Sequence, residues 1–421
     1  MAEPLVVPRA DHTISRQQID PDALKVLYRL RTFDHVAYLV GGGVRDLLLN
    51  RRPKDFDIGT SAHPHQVKRI FRNCWIIGRR FRLAHVKFGP KTIEVATFRR
   101  PVPPEETKAS EAAGQPPADS DQRPPIRRDN TFGTAEEDAF RRDFTINALF
   151  YDIATFSVID YVGGLEDLRN GVIRSIGDPH ERFVEDPVRM LRAVSFAARL
   201  DFRLDPPVLE AIARHKAEIA NASPARMIEE LYKVLRSGVS ARIYRSLLEQ
   251  GLLAHIAPEI DQGASAALWK SLDALDAYRS RFDDAPARLT NAVLLGSLAA
   301  PVQPIDLTPR RKDDPKRDEG GVTLGRLPVA RRDMERLRQL LALQQKLTNP
   351  RLPPRQQRMV LHRGAFADAL TWLEMHGADA EALGRWHALA GGGDGDAESP
   401  GRRRRRRSRR GRRRRSGPAA Q

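Results

Sequence analysis

Cysteine is nearly absent from this 421-residue chain. Cys74 is the only one, so an internal disulfide and a cysteine-built zinc site are both excluded, and a reducing compartment fits. Aromatic residues make up only 6% of the sequence. Long apolar runs are missing as well. No stretch reaches the roughly 18 apolar residues that a membrane-spanning helix needs, and the opening "MAEPLVVPRADHT" has no basic start followed by an apolar run. These absences predict a cytoplasmic protein with no membrane partner. Acid is also scarce relative to base: Lys and Arg number 71 against 54 Asp and Glu, a formal charge of +17. Such an excess points to a polyanionic partner. Part of it is local, because residues 391–421 carry twelve arginines against Asp394, Asp396 and Glu398, a net of +9 that leaves +8 for the first 390 residues.

What is present predicts an α+β chain of several domains, since 421 residues exceed one ordinary core and 41% are hydrophobic. Residues 1–34 read as an N-terminal extension with a helix. Residues 35–177 alternate short apolar runs with helical patterns and predict a small mixed sheet. "HVAYLV" reads as a buried strand and "GGGVRDLLLN" as a glycine turn opening a helix that stops at Asn50. "KDFDIGT", "CWIIG", "AHVKFG" and "TIEVATF" read as further strands, and residues 63–73 as a helix. Residues 101–129 lose all periodicity and predict a flexible insertion. Thr134 and Glu137 form a capping box ahead of a helix expected to run through "RRDFTINALFYD". After Gly177 the patterns are helical, with Asp178-Pro179, Asp186-Pro187 and Ser223-Pro224 as starts. A neck is expected at 178–250, a helical body at 251–390 with a charged loop at 306–325, and a disordered basic tail at 391–421.

The stretch "RRPKDFDIGT" carries the chemistry. If "KDFDIGT" is a strand, Asp55 and Asp57 share one face roughly 7 Å apart, close enough to grip one or two divalent cations. Oxygen-only ligands favour Mg2+ or Mn2+ over zinc. An acidic pair alone reads equally well as a solvated strand face. The glycine turn just before it changes the balance. Gly41 and Gly42 let backbone N–H groups approach a phosphate, Arg45 adds a charged contact, and the acids follow within about fifteen residues on the next strand, which describes a nucleoside triphosphate beside its metal. Glu94 reads either as a further carboxylate at that sheet end or as a partly exposed strand residue. The tail is too charged to fold, and its Arg402, Arg403, Arg404, Arg405, Arg406, Arg407, Arg409, Arg410, Arg412, Arg413, Arg414 and Arg415 read as an RNA-phosphate grip.

"LVGGGVRDLLLNRRPKDFDIGT", "RRDFTINALFYD", "DYVGGLEDLRNGVIRSIG" and "EDPVRMLRA" together resemble the successive motifs of the class II template-independent nucleotidyltransferases, the family of bacterial poly(A) polymerases and CCA-adding tRNA enzymes. The order and spacing match from about residue 39 to 200. "IIGRRFRLAHVKFGPKTIEVATFRR", the insertion and the arginine tail are closer to the poly(A) branch. The resemblance implies a polymerase-beta-like head followed by a helical neck and body. It implies metal binding by Asp55 and Asp57, a third essential acid at Asp143, nucleotide contacts from Gly41, Gly42, Arg45, Arg142, Asn147 and Arg192, and base selection by Glu185, Asp186 and Arg189. Asp143 and Asn147 would lie four apart on one helix face and reach a ribose. Without the resemblance, Glu185 and Arg189 read as an ordinary helix ion pair. The implied reaction transfers AMP from ATP to an RNA 3′-hydroxyl with release of pyrophosphate and Mg2+ or Mn2+ as cofactor, with RNA-degradation machinery as a further partner. CCA addition to tRNA is the alternative, and a non-catalytic RNA-binding adaptor is a third reading. Two positions depart from the family: Asn50 stands in place of a glycine and Ser195 in place of a second arginine.

Overall fold

A computed structural model describes residues 3–78, 82–100, 132–307, 322–377 and 379–391. The expected insertion, most of the 306–325 loop and the tail beyond residue 391 lie outside the described residues.

The apolar runs of the first half assemble into one eight-stranded sheet. Its strands are β1 (Leu5–Val7), β2 (Ala37–Val40), β3 (Asp57–Thr60), β4 (Cys74–Ile77), β5 (Leu83–Phe88), β6 (Lys91–Thr97), β7 (Leu149–Asp152) and β8 (Ser157–Asp160), in the spatial order β1-β8-β7-β2-β3-β6-β5-β4. Only β3 and β6 run parallel, and every other neighbour is antiparallel. Side chains alternate between the two faces. Leu39, Ile58, Val86, Ile93 and Val95 point to one face and join the main core with Val26, Leu27 and Leu30 of helix α1 (Pro21–Thr32) and Val67 and Ile70 of α3 (Pro64–Ile70). Opposite them, Val40, Phe98, Ala139 and Phe150 form a smaller cluster on the other face. The N-terminal helix is where the sequence places it. The strand that the same segment adds, with Val6 opposite Ile159, was not expected, and neither were β7 and β8.

Three local expectations fail for identifiable reasons. The second aspartate strand is shorter than "KDFDIGT": β3 begins at Asp57, and Lys54–Phe56 run into it without ladder bonds. Thr134 and Glu137 do form the capping box, but the helix it opens, α4 (Ala135–Phe140), stops before "RRDFTIN". Residues 143–147 instead bend through an isolated bridge between Phe144 and Ser175 into a 3₁₀ turn at Thr145–Asn147. Of the three helix starts, Asp178 caps its helix through His180 N–H at 2.9 Å, Ser223 makes no side-chain cap, and Asp186 turns its carboxylate elsewhere.

Past residue 178 the described residues are almost entirely helical. The site is touched by α6 (Pro179–Glu185), α7 (Val188–Leu200), α8 (Pro206–His215) and α9 (Pro224–Leu235), the last burying Met227, Leu231, Val234 and Leu235 as its spacing requires. Farther helices such as Ala266–Arg279, Asn291–Ala299 and Arg331–Leu347 continue the same core. Among the described residues no helix is long and apolar enough to cross a membrane.

Candidate active site

The glycine turn sits between β2 and α2 (Gly42–Leu48). Gly41 adopts φ 71°, ψ −135°, a backbone region closed to most L-residues, and a Cβ there would stand 2.9 Å from Arg142 Nη1. The backbone conformation is what requires glycine here. At the far end of α2, Asn50 has φ 54°, the left-handed stop that replaces the family's glycine. In between, the chain returns so that Gly43 lies against the Asp55 carbonyl, which sets the acidic pair beside the turn.

Asp57 opens β3 directly opposite Val40, and the parallel register of β3 and β6 places it beside Glu94. Asp55 is exposed and Asp57 half-buried. Burial first, then the charges of Glu94 and Asp55, push the Asp57 carboxyl up to about 6, with Arg142 offsetting part of the rise. Among the described residues neither Asp55 nor Asp57 has an ion-pair or hydrogen-bond partner, and no three His, Cys, Asp or Glu side chains form a ready-made metal cage. A half-buried carboxylate crowded by two others, with no partner of its own, fits a hard divalent cation. Two carboxylates make a partial Mg2+ site of the kind that a substrate's own phosphate oxygens complete.

Asp143 and Asn147 meet across the bend rather than along a helix, with Asn147 Nδ2 donating to Asp143 Oδ1 at 3.1 Å. They are the middle of a longer chain of contacts. Arg45 is 2% exposed and donates through Nη1 to Asn147 Oδ1 at 2.6 Å and through Nε and Nη2 to Asp46 at 2.8 and 2.7 Å. Its guanidinium is spent inside the protein, so Arg45 holds the turn in place and the expected phosphate contact is not what its geometry offers. On the other side, Asp143 Oδ2 accepts from Arg192 Nε at 2.8 Å and Nη2 at 2.7 Å, and Arg192 continues to Glu230 at 3.6 Å. Burial alone would raise the Asp143 carboxyl, but Arg192, Asn147 and the Phe144 N–H outweigh it and hold the group below the usual carboxylate range. The path Asp46–Arg45–Asn147–Asp143–Arg192–Glu230 thus ties α2 to α7 and α9.

Arg142 is the cation whose charge acts on Asp57. Asp138, buried on α4, accepts from Arg142 Nη2 at 3.0 Å and from Arg141 Nη2 at 2.6 Å, and Arg142 Nη1 reaches the Asn147 carbonyl at 3.0 Å. Nothing in the sequence singled out Asp138. Glu185 and Arg189 form the helix ion pair that their spacing alone suggests. Glu185 Oε2 accepts from Arg189 at 2.7 Å and Arg182 at 2.9 Å, while Asp186 takes a bidentate pair from Arg226 at 3.1 and 2.9 Å. Asp186 and Arg189 are therefore not each other's partners, and Arg226, forty residues away, is an addition. Ser195 Oγ is buried without a partner among the described residues. One turn on, exposed Arg199 lies 4.9 Å from the Phe196 ring centroid, which Arg192 and Arg45 also flank at 5.2 and 5.3 Å.

Two parts of the chain match known families. Residues 37–174 match the family described as "Poly A polymerase head domain", and residues 201–263 the one described as "Probable RNA and SrmB- binding site of polymerase A". The Poly(A) polymerase I of Salmonella typhi is 52% identical over 255 residues, covering 61% of this chain and 54% of that protein. The CCA-adding enzyme of Bacillus subtilis is 37% identical over 230 residues, 55% of this chain and 54% of that one. The chain thus spans about half the length of the curated relatives it matches. The structure of the Bacillus stearothermophilus CCA-adding enzyme in complex with CTP superposes with a TM-score of 0.57 at 27% identity, covering 88% of this chain and 82% of that one. With a head-domain match at 37–174 and its motifs in family order, this part of the chain is similar to the poly(A) polymerases and CCA-adding enzymes.

Proposed function

We propose that this protein is a polynucleotide adenylyltransferase, joining AMP from ATP to RNA 3′-hydroxyl ends without a template and releasing pyrophosphate. The observation that carries the reading is Asp57: a half-buried carboxylate, crowded by Asp55 and Glu94 and left without a partner, beside the Gly41 turn. A divalent cation held by Asp55 and Asp57 would supply Lewis-acid stabilisation of the attacking and leaving oxygens. The Gly41 turn faces the triphosphate, and Arg142, whose N–H groups are held by Asp138 and the Asn147 carbonyl, adds its charge from nearby. Arg45, Asn147, Asp143 and Arg192 hold that turn against α7, so the base-reading residues Glu185, Asp186, Arg189 and Arg226 stay in register with it. A carboxylate and a guanidinium present opposite hydrogen-bonding characters, which lets protein groups read a base edge. Adenylate specificity is supported by the closer likeness to the poly(A) polymerases than to the CCA-adding enzyme. An adenosine tail is a single-stranded foothold for 3′-degrading enzymes, which is where RNA-degradation machinery enters as a partner.

Purified protein given a generic single-stranded RNA, Mg2+ and all four nucleotides should build long, nearly pure adenosine tails. Addition of C-C-A to tRNA lacking that end, with no extension of the generic RNA, overturns the reading in favour of the CCA enzyme. RNA binding with no addition to either substrate favours the adaptor.

A second expectation concerns the twelve tail arginines. Removing residues 401–421 should weaken RNA binding and flatten its salt dependence, because the log-log slope on single strands is about 0.7 per phosphate neutralised. Turnover at saturating primer should survive. Equal affinity and equal slope for the truncated protein would leave the tail without an RNA role.

A further inference from the structure

We propose that Trp75 is a stacking platform for a base of the RNA primer, a few nucleotides behind the 3′ end; the proposal rests on the adenylyltransferase reading above. Four strands carry it. Residues directly opposite each other in a sheet lie on the same face. The parallel register that pairs Ile58 with Val95 sets Asp57 beside Glu94, Glu94 pairs with His85, and His85 pairs with Trp75. One row therefore runs from the candidate metal acid straight across the sheet to its edge strand. The reverse face is closed, since Cys74, Ala84, Val86, Ile93 and Val95 are buried in the main core. The row's own face is open at its outer end, where Trp75 is 51% and Ile77 48% exposed. Large apolar side chains standing exposed side by side on an edge strand need an occupant.

RNA is the occupant that this face fits. The row begins at the acids where the primer 3′-hydroxyl must react, and three strand spacings carry it about 14 Å to Trp75, which a single strand covers in roughly two to four nucleotides, depending on how far it is stretched beyond a rise of about 3.4 Å. Lys87 Nζ lies over one face of the Trp75 ring, 5.2 Å from its centroid, so a base would stack on the other face with this cation across the ring from it, near the strand's phosphates. Arg82 is exposed on the same β-hairpin. His85 lies between the acids and the ring, with Nε2 3.5 Å from Glu94. Stacking on an aromatic ring accepts every base because every base has a π-face, which suits an enzyme that extends RNAs of any sequence.

The test uses the full chain. Trp75→Ala should raise the primer KM by about 5- to 150-fold, the equivalent of about 1 to 3 kcal/mol for one stacked base, with the ATP KM unmoved. Trp75→Phe, which keeps a ring, should recover most of the loss. A primer of one nucleotide, too short to reach the ring, should not distinguish the variants. A binding measurement stands apart from turnover. Trp386 is buried and Trp269 and Trp372 are packed against the core, so oligoadenylate should quench the fluorescence of the protein and the quench should vanish in Trp75→Phe. Equal primer KM values for Trp75→Ala and the parent, or a quench that survives Trp75→Phe, overturns the platform. So does Trp75 burial that follows protein concentration without RNA, which would make the strand a contact between copies. If the protein adds no nucleotide to any RNA, the adenylyltransferase reading fails, while the quench still decides whether RNA stacks on Trp75.

Discussion

Asp57→Asn is expected to lower nucleotide addition by at least about a thousandfold, about 4 kcal/mol of transition-state stabilisation, and at the same time to make the metal-free protein more stable. The two effects share one cause. Asp57 is pushed from its ordinary 3.8 to about 6 by burial, Glu94 and Asp55. A carboxyl whose folded value lies above its unfolded value favours folding while protonated. That contribution is complete below 3.8 and is lost as pH rises to about 6. At neutral pH the ionised group therefore works against the fold, by at most about 3 kcal/mol for a two-unit shift and less for a side chain that keeps some solvent. Asparagine removes the charge and with it the cation site. Denaturant unfolding in a chelator at pH 7.5 should show the variant about 1 to 2 kcal/mol more stable, with the gap closing below pH 4. Adding Mg2+ should stabilise the parent more than the variant. Near-normal turnover by Asp57→Asn, or a variant less stable than the parent in chelator, would remove Asp57 from its role.

The parts of this site that were readable in the sequence are those fixed by local backbone chemistry. Gly41 needs its positive φ, Asn50 supplies a left-handed stop, Thr134 and Glu137 cap a helix, and each requirement shows within a few residues. What was not readable is set by where distant groups happen to meet. "RRDFTIN" has helical spacing, but its backbone is claimed by the Phe144–Ser175 bridge, and Asp138 fixes the side chains of both Arg141 and Arg142. Asp55 falls outside the strand because β2 is paired only as far as Val40, opposite Asp57. Short apolar runs such as "LFYD" and "SVID" do not by themselves distinguish strand from buried helix, so β7 and β8 became strands only through their partners. Guanidinium targets are the least local of all. Arg45 was expected at a phosphate because it is charged and follows glycines, yet it is buried between Asp46 and Asn147. Arg226 carries no motif, and only the packing of α9 beside α7 brings it to Asp186.

Asp143 should behave in the opposite sense to Asp57. Both of its oxygens are already committed, Oδ2 to Arg192 and Oδ1 to Asn147 and the Phe144 N–H at 2.9 Å. It is therefore a positioning residue that ties the glycine turn to α7. Its folded value lies below the unfolded one, so its ionised form stabilises the fold. That contribution is present above about pH 4 and is lost as pH falls through the lower, folded value. Asp143→Asn leaves Arg192 facing a neutral amide in a largely buried place and should cost about 2 to 4 kcal/mol of stability at neutral pH. Nucleotide addition should fall about a hundredfold, the scale expected when a reacting group shifts by about 1 Å. A double-mutant cycle with Arg192→Gln should show a coupling of about 1 to 3 kcal/mol in stability, because once either partner is gone the second substitution has little left to remove. A residue that touched substrate instead would lose activity with stability unchanged and no coupling to Arg192. Unfolding midpoints of Asp57→Asn and Asp143→Asn in one buffer separate the two roles. Midpoints shifted in opposite directions are expected, and a shift in the same direction would mean that the second aspartate does not hold the turn through Arg192.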